Sequence, residues 1–455
     1  MSERLHARAA LLPGGWADDV AIEIDASGMI ESVRPGASVD GAETLAGPTV
    51  PAMPNVHSHA FQRALAGRTG PMSPEHSDSF WTWRQAMYAF LDRVDADTFG
   101  AIATQAYVEM TKAGYASVAE FHYVHHDPAG QPYADHAELA WRIVAAAQEA
   151  GLNLTLLPVF YAHAGFGGTP ALPEQRRFVH TPATYAQLVE TLIAAAPERG
   201  FVVGVAPHSL RAVTAEELGH VVRLAPASAP LHIHAAEQTK EIDECYAWSR
   251  MRPVEWLLTQ ANIDARWCVV HATHMTDREV SGLAQSGAVA GLAPTTEADL
   301  GDGTFPGEAF VAAGGALGIG SDSNTVIDPF AELRQLEWSQ RIRLRRRNIL
   351  GGAGGLSLGT SLWLRAAGGG ARALAQKTGA IARGYRADLV VLDLDDPALA
   401  AQAPETTLDA AIFGPCRRPV RDVMSGGRWV VCEGRHAREA EVFARYRTAL
   451  AGLAR

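Results

Sequence analysis

Cysteine is scarce. The chain has four in 455 residues, Cys245, Cys268, Cys416 and Cys432, widely spaced and with no CxxC pair. A chain of this size needs no disulfide scaffold, and the expected state is reduced thiols in the cytoplasm. Long apolar runs are also missing. None approaches the roughly 20 residues of a membrane span, so no membrane partner is expected. The opening MSERLHARAALLPGGWADD has early positive charge, but Pro13, Gly14 and Gly15 interrupt its apolar segment and two aspartates follow. That is a poor signal peptide. Cations are outnumbered, with 39 Lys and Arg against 50 Asp and Glu and a net charge of -11. Nucleic acid is thereby excluded as a general partner, because phosphate binding needs clustered cations. A small anion would have to be met by local arginines against the global field. The Gly-rich LGGAGGLSLG at 350–359 lacks the Lys of a phosphate loop and has no strand before it, so it reads as a loop leading into a helix. The basic run RIRLRRR at 341–347 reads as the solvated or subunit-facing side of a helix. No internal repeat or low-complexity segment stands out.

What is present is an ordinary globular balance, 47% hydrophobic and 20% charged. Eight short β-rich runs alternate with Ala/Leu-rich helical stretches between about residues 50 and 325. They are PNVHSH, ASVAEFHY, LTLLPVFY, FVVGVAPHS, PLHIHAAE, RWCVVHATH, GAVAGLAPT and GALGIGSDS. Helical patterns such as 98–114 and 133–151 lie between them. Alternation of this kind predicts parallel βαβ units in an α/β fold. Eight units over a span near 250 residues predict a (β/α)8 TIM barrel, with an open doubly wound sheet as the other reading of the pattern. Strand-and-turn segments at 20–34 and 385–394, and the later VMSGGRWVVCEGR, lie at opposite ends of the chain. They predict a small β-sandwich domain built from both ends: residues 1–49 and 376–455 in the small domain, 50–375 in the barrel.

The histidines hold the chemical interest. His57 and His59 occupy i and i+2, which face the same side of a strand, and imidazole suits zinc, iron and similar ions. Alone, an HxH pair is better explained by packing. Its position changes the reading, because other polar residues also fall at predicted strand ends, where a barrel carries its active site. His234 and Glu237 lie in PLHIHAAEQ, His271 in WCVVHATH and Asp322 in GIGSDSN. His57 and Asp322 are about one barrel's length apart, so closure would make them neighbours. His232 and His274 are the competing candidates in their strands. His234 is preferred as nearer its strand end, and His271 because CVV leads straight into it.

The set HSH, HIHAAE, VVHATH and GSDS resembles the amidohydrolase superfamily, as does the closing segment GYRADLVVLDLDDP. The resemblance implies one divalent metal ion, zinc by default with iron fitting the same ligands, held by His57, His59, His234 and Asp322. The fourth run has no Lys of the kind that bridges two metals, which points to the single-metal deaminase branch. Within that branch HSHAFQRALAG, FWTWR (80–84), FHYVHHD (121–127) and APHSLRAVT (206–214) are similar to the formimidoylglutamate deiminases. That resemblance implies conversion of N-formimino-L-glutamate and water to N-formyl-L-glutamate and ammonia in histidine degradation, by a cytoplasmic homodimer. The alternative is a related amidohydrolase that deaminates a purine, pyrimidine or other aromatic amine.

Such a reaction needs an activated water, a proton for the leaving nitrogen and a grip on the substrate. A bound metal lowers the pKa of its water to roughly 7. By resemblance Asp322 accepts that water's proton, Glu237 carries a proton to the departing nitrogen, and His271 hydrogen-bonds the reacting oxygen. The structural alternative for Glu237 is a carboxylate at a helix start. The small-molecule substrate carries two carboxylates, which arginine binds in a fork geometry. Arg84 and Arg211 are the candidate clamps, with Gln62, Tyr123 and His208 as polar neighbours. His125 and His126 fall in a loop after a strand and read as packing or surface residues.

Overall fold

All eight β-rich runs contain strands, and neighbouring ones pair in parallel. Met53–Ser58, Tyr115–His122 and Asn153–Phe160 pair in that order. The fourth run makes only two short pieces, Val202–Val203 and Ala206–Pro207, both on the third strand. The break falls at Gly204, where a Cβ would lie 2.5 Å from the Pro230 carbonyl oxygen. A second sheet runs in the order Leu231–Ala235, Trp267–His271, Val289–Leu292, Ala316–Ile319. Isolated parallel bridges join the two sheets at both pairs of edges: Val205 to Leu231 and Ser209 to His234 on one side, Ser58 to Asp322 on the other. The structure, a computed structural model, describes residues 3–68, 79–352 and 354–453, so Ala353 of the Gly-rich stretch lies outside the described residues.

Near-continuous apolar strands such as Asn153–Phe160, buried at every position but the first, are what a parallel sheet covered on both faces requires. Helices supply one cover. Ala96–Ala113 starts at Asp95, whose side chain accepts from the Thr98 N–H (2.8 Å), and stops at Gly114 in the left-handed region. Its Phe99, Ile102, Ala106 and Met110, three or four residues apart, form one buried stripe. A single large apolar cluster joins these helices to both parallel sheets.

Both chain ends share one further sheet of nine strands. Glu3–Leu12 pairs antiparallel with Gly15–Ile24, and Leu389–Leu392 pairs antiparallel with Thr49–Pro51. Leu5, Val20, Ile22, Leu389 and Val391 belong to its separate apolar cluster. The C-terminal segment is not β alone. Helix Pro404–Phe413 and helix Glu439–Leu453 also belong to it, and the latter is tied to helix Ala96–Ala113 by an ion pair between Glu439 and Lys112. Among the described residues no helix is long and apolar enough to cross a membrane.

Candidate active site

The polar residues singled out in the sequence gather where the parallel strands end. His57 lies in the first strand and His59 just after it, before the short helix Ala60–Leu65. His234 lies in the fifth strand, His271 ends the sixth, and Asp322 follows the eighth. Two backbone bonds lock the first and last of these together: Asp322 N–H donates to the His57 carbonyl and His59 N–H to the Asp322 carbonyl, both at 2.9 Å. Gly320 permits that approach, since a Cβ there would lie 2.6 Å from the His57 carbonyl oxygen. Four non-glycine residues here, Ala236, His271, Ala272 and Asp322, have φ between 43° and 67°. Such backbone costs about 1–3 kcal/mol per residue and concentrates at functional sites.

The imidazoles of His57, His59 and His234 converge. Nε2 of His57 is 3.1 Å from Nε2 of His59 and 3.0 Å from Nε2 of His234. Nδ1 of His59 donates to the Phe121 carbonyl and Nδ1 of His234 to the His208 carbonyl, each at 3.0 Å. With the proton fixed on Nδ1, both Nε2 lone pairs point inward. Burial first, then the neighbouring histidines, keeps all three rings neutral: His59 is pushed down to about 3, and His57 and His234 well below the ordinary value. Three neutral imidazoles whose Nε2 atoms converge this closely are the ligating form of a metal-binding set. Asp322 Oδ1 adds an oxygen 3.6 Å from His57 Nε2 and 3.4 Å from His59 Nε2. This nitrogen-and-oxygen set fits a divalent ion. Burial raises Asp322 to about 7, with His271 opposing and Glu237 and Glu297 adding to the rise.

Beside this group, His271 Nε2 lies 3.7 Å from Glu237 Oε1 and 3.8 Å from Asp322 Oδ2, while its Nδ1 lies 3.3 Å from Glu297 Oε1. Burial disfavours charge on that ring, but Glu237, the Glu297 hydrogen bond and Asp322 together raise it to about 10. Glu237 is buried beyond the fifth strand. The helix-start role belongs to Glu241 instead, whose carboxylate accepts from the Ala236 and Glu237 N–H groups at 3.1 Å.

Gln62, Arg84, Tyr123, His208 and Arg211 all line one cavity with His59, His234, Glu237, His271 and Asp322. Arg211 is 6% exposed, sits 3.7 Å from Glu237 through Nη2, and has no partner for Nε or Nη1. Two buried guanidinium nitrogens without partners have the chemistry to receive an anion. Arg84, on helix Phe80–Leu91, is only half-buried and lies over the Trp81 and Tyr88 rings at 5.2 and 5.5 Å. Gln62 donates to the Tyr123 hydroxyl (2.8 Å), which donates to Met87 Sδ (3.2 Å).

The competing histidines face elsewhere. His232 Nε2 donates to the Ala373 carbonyl and His274 Nε2 to the Asp302 carbonyl, both at 2.8 Å. His125 and His126 bond the Val159 and Val179 carbonyls rather than any ligand-group residue, and their rings meet His180 edge-on or tilted. Sequence reading missed Glu120, Glu297 and Asp302. Glu120 accepts from the Ala60 N–H (2.7 Å) and is raised to about 8 by burial, against the bonds it accepts. A carboxylate inside the apolar run ASVAEFHY was its available signal. Aromatic wall residues Phe80, Trp83, Tyr88 and Phe178 were also missed.

Residues 49–430 match the model of the amidohydrolase family, and residues 3–47 match that of the N-terminal domain of formimidoylglutamate deiminase HutF. The chain is 51% identical over 435 residues to the formimidoylglutamate deiminase of Pseudomonas aeruginosa, covering 96% of each. It is 28% identical to an isoxanthopterin deaminase from an unknown prokaryote, over 86% of this chain and 84% of the other. Among solved structures, an amidohydrolase from Brucella melitensis superposes with a TM-score of 0.94 at 47% identity, covering 100% of both chains. A zinc-bound adenosine deaminase from Xanthomonas campestris gives 0.83 at 21% identity over 99% and 98%, a likeness of fold alone. From its cluster of strand-end histidines to its N-terminal segment, the chain belongs to the amidohydrolase family and, within it, to the formimidoylglutamate deiminases.

Proposed function

We propose that this enzyme hydrolyses N-formimino-L-glutamate to N-formyl-L-glutamate and ammonia at the cavity above the three histidines. The observation that carries the reading is Arg211: a buried guanidinium with two unpartnered nitrogens in the same cavity as the converging imidazoles. A neutral heterocycle would leave those donors unpaired, whereas a substrate carboxylate satisfies them. Arg84, nearer the open side, takes the second carboxylate, and Gln62, Tyr123 and His208 bound the chain between.

His57, His59, His234 and Asp322 would hold one divalent ion, zinc by the preference of such donors, and that ion supplies a water acidic enough to react near neutral pH. Asp322 accepts the proton of the attacking water. His271, oriented by Glu297, donates a hydrogen bond to the oxygen as the formimino carbon becomes tetrahedral. Glu237 carries that first proton of the water to the formimino nitrogen and then the second, released as the oxygen becomes a carbonyl, so that the C–N bond breaks and ammonia leaves. Arg211, 3.7 Å from Glu237, fixes the substrate relative to that proton donor.

The edge bridges between the two parallel sheets support a closed (β/α)8 barrel, with the nine-stranded sheet as the small β-sandwich domain. The same reading has the protein act as a cytoplasmic homodimer. Ammonia release measured with N-formimino-L-glutamate beside guanine, cytosine and adenosine tests the function. Turnover of the formimino substrate alone is expected; turnover of a heterocycle in its place would replace this reading with the aromatic-amine one.

A further inference from the structure

A second set of donors meets beside the three-histidine group. Glu237, His271 and Asp302 each offer one ligand atom, and these atoms all lie within 4.8 Å of one another in buried surroundings. Asp302 is 4% exposed, and although its Oδ1 accepts from the Gln238 amide, its Oδ2 is buried with no hydrogen-bond partner. A carboxylate oxygen left that way is costly unless a proton or a cation meets it. The imidazole is aimed at the same place. Its Nδ1 faces Glu297 Oε1 at 3.3 Å, the carboxylate contact that orients a metal-ligating histidine, and its Nε2 faces Glu237 Oε1. Glu237 engages Arg211 through its other oxygen, Oε2, which leaves Oε1 available.

We propose that Glu237, His271 and Asp302 form a second divalent-cation site, distinct from the ligand set of His57, His59, His234 and Asp322, and that filling it stops turnover. One imidazole nitrogen and two carboxylate oxygens suit zinc and similar ions. The inhibitory effect of an ion here rests on the functional reading above, in which Glu237 carries a proton and His271 donates a hydrogen bond. A bound cation removes both abilities at once.

The test uses enzyme carrying one metal ion per chain, titrated with zinc. Metal per chain is measured by elemental analysis after desalting, and ammonia release is measured in parallel. Wild type is expected to rise from one to two ions per chain while turnover falls at least tenfold. Asp302→Asn should stay at one ion and keep the same activity with and without added zinc. Glu237→Gln, read by metal content alone, should also stay at one ion. A wild type that saturates at one ion, or an Asp302→Asn variant that still takes up a second, overturns the site. Two ions per chain without loss of turnover overturns the inhibition. Failure to release ammonia from the formimino substrate at one ion per chain would overturn the functional reading and leave the ion count standing.

Discussion

Arg211 and Glu237 approach to 3.7 Å in a buried site, each less than a tenth exposed, so the cation that would grip substrate touches the carboxylate that would move a proton. Binding and chemistry are therefore adjacent but separable by substitution.

Arg211→Met removes the two unpartnered nitrogens and keeps most of the side-chain bulk. A charge-assisted hydrogen bond contributes about 1.5–3 kcal/mol, so KM for N-formimino-L-glutamate should rise roughly 10- to 100-fold with a smaller change in kcat. Steady-state kinetics decide it; an unchanged KM would place the clamp elsewhere.

Glu237→Gln keeps shape but removes the transferable proton. Turnover should fall by about 10²–10⁴, the usual contribution of a general acid or base. Elemental analysis should still find the first metal, because the 57–59–234 imidazole group does not include residue 237. Full activity would remove Glu237 from the mechanism.

Removing metal should act on stability as well as activity. Nε2 of His57 lies 3.1 Å from that of His59 and 3.0 Å from that of His234, so the three rings converge on one point. Treatment with a chelator should abolish ammonia release and lower the melting temperature, because an ion that binds only the folded chain stabilises it by mass action. Zinc should restore both. His234→Ala should behave like the stripped enzyme and fail to recover.

A second group of histidines should set the acid limit of stability. Burial pushes His122 and His180 down to about 3 and His125 well below its ordinary value, with neighbouring histidines adding to the last two. Folded values below the unfolded 6.5 mean that the unfolded chain takes up protons first as pH falls. Stability is then complete above about pH 6.5 and declines towards pH 3, by about 1.4 kcal/mol per pH unit for each ring still neutral. Melting curves between pH 7 and pH 4 should show this slope, and His180→Asn should make it shallower.

Much of this architecture was legible in the chain because buried parallel strands are short apolar runs ended by polar residues, and the ligating types stand at those ends. The fourth run read as one strand, but Gly204 packed against Pro230 splits it into two pieces. The N-terminal strand Glu3–Leu12 of the nine-stranded sheet went unread because its start resembled a failed leader, and its burial pattern lacks the strict alternation that marks a half-buried strand. Glu297 and Asp302 had no local signal at all. They matter only through His271, some 26 to 31 positions away, and only folding makes that relationship visible.

The lock between His57 and Asp322 also bears on how the protein matures. These residues come from the first and last of eight successive units, so a growing chain cannot offer a complete set of donors until about seven tenths of it has been made. Closing so long a loop is entropically demanding and favours late assembly. The full donor set would hold an ion only once these two ends have met, a clasp fastened across the seam rather than a seed around which the strands collect.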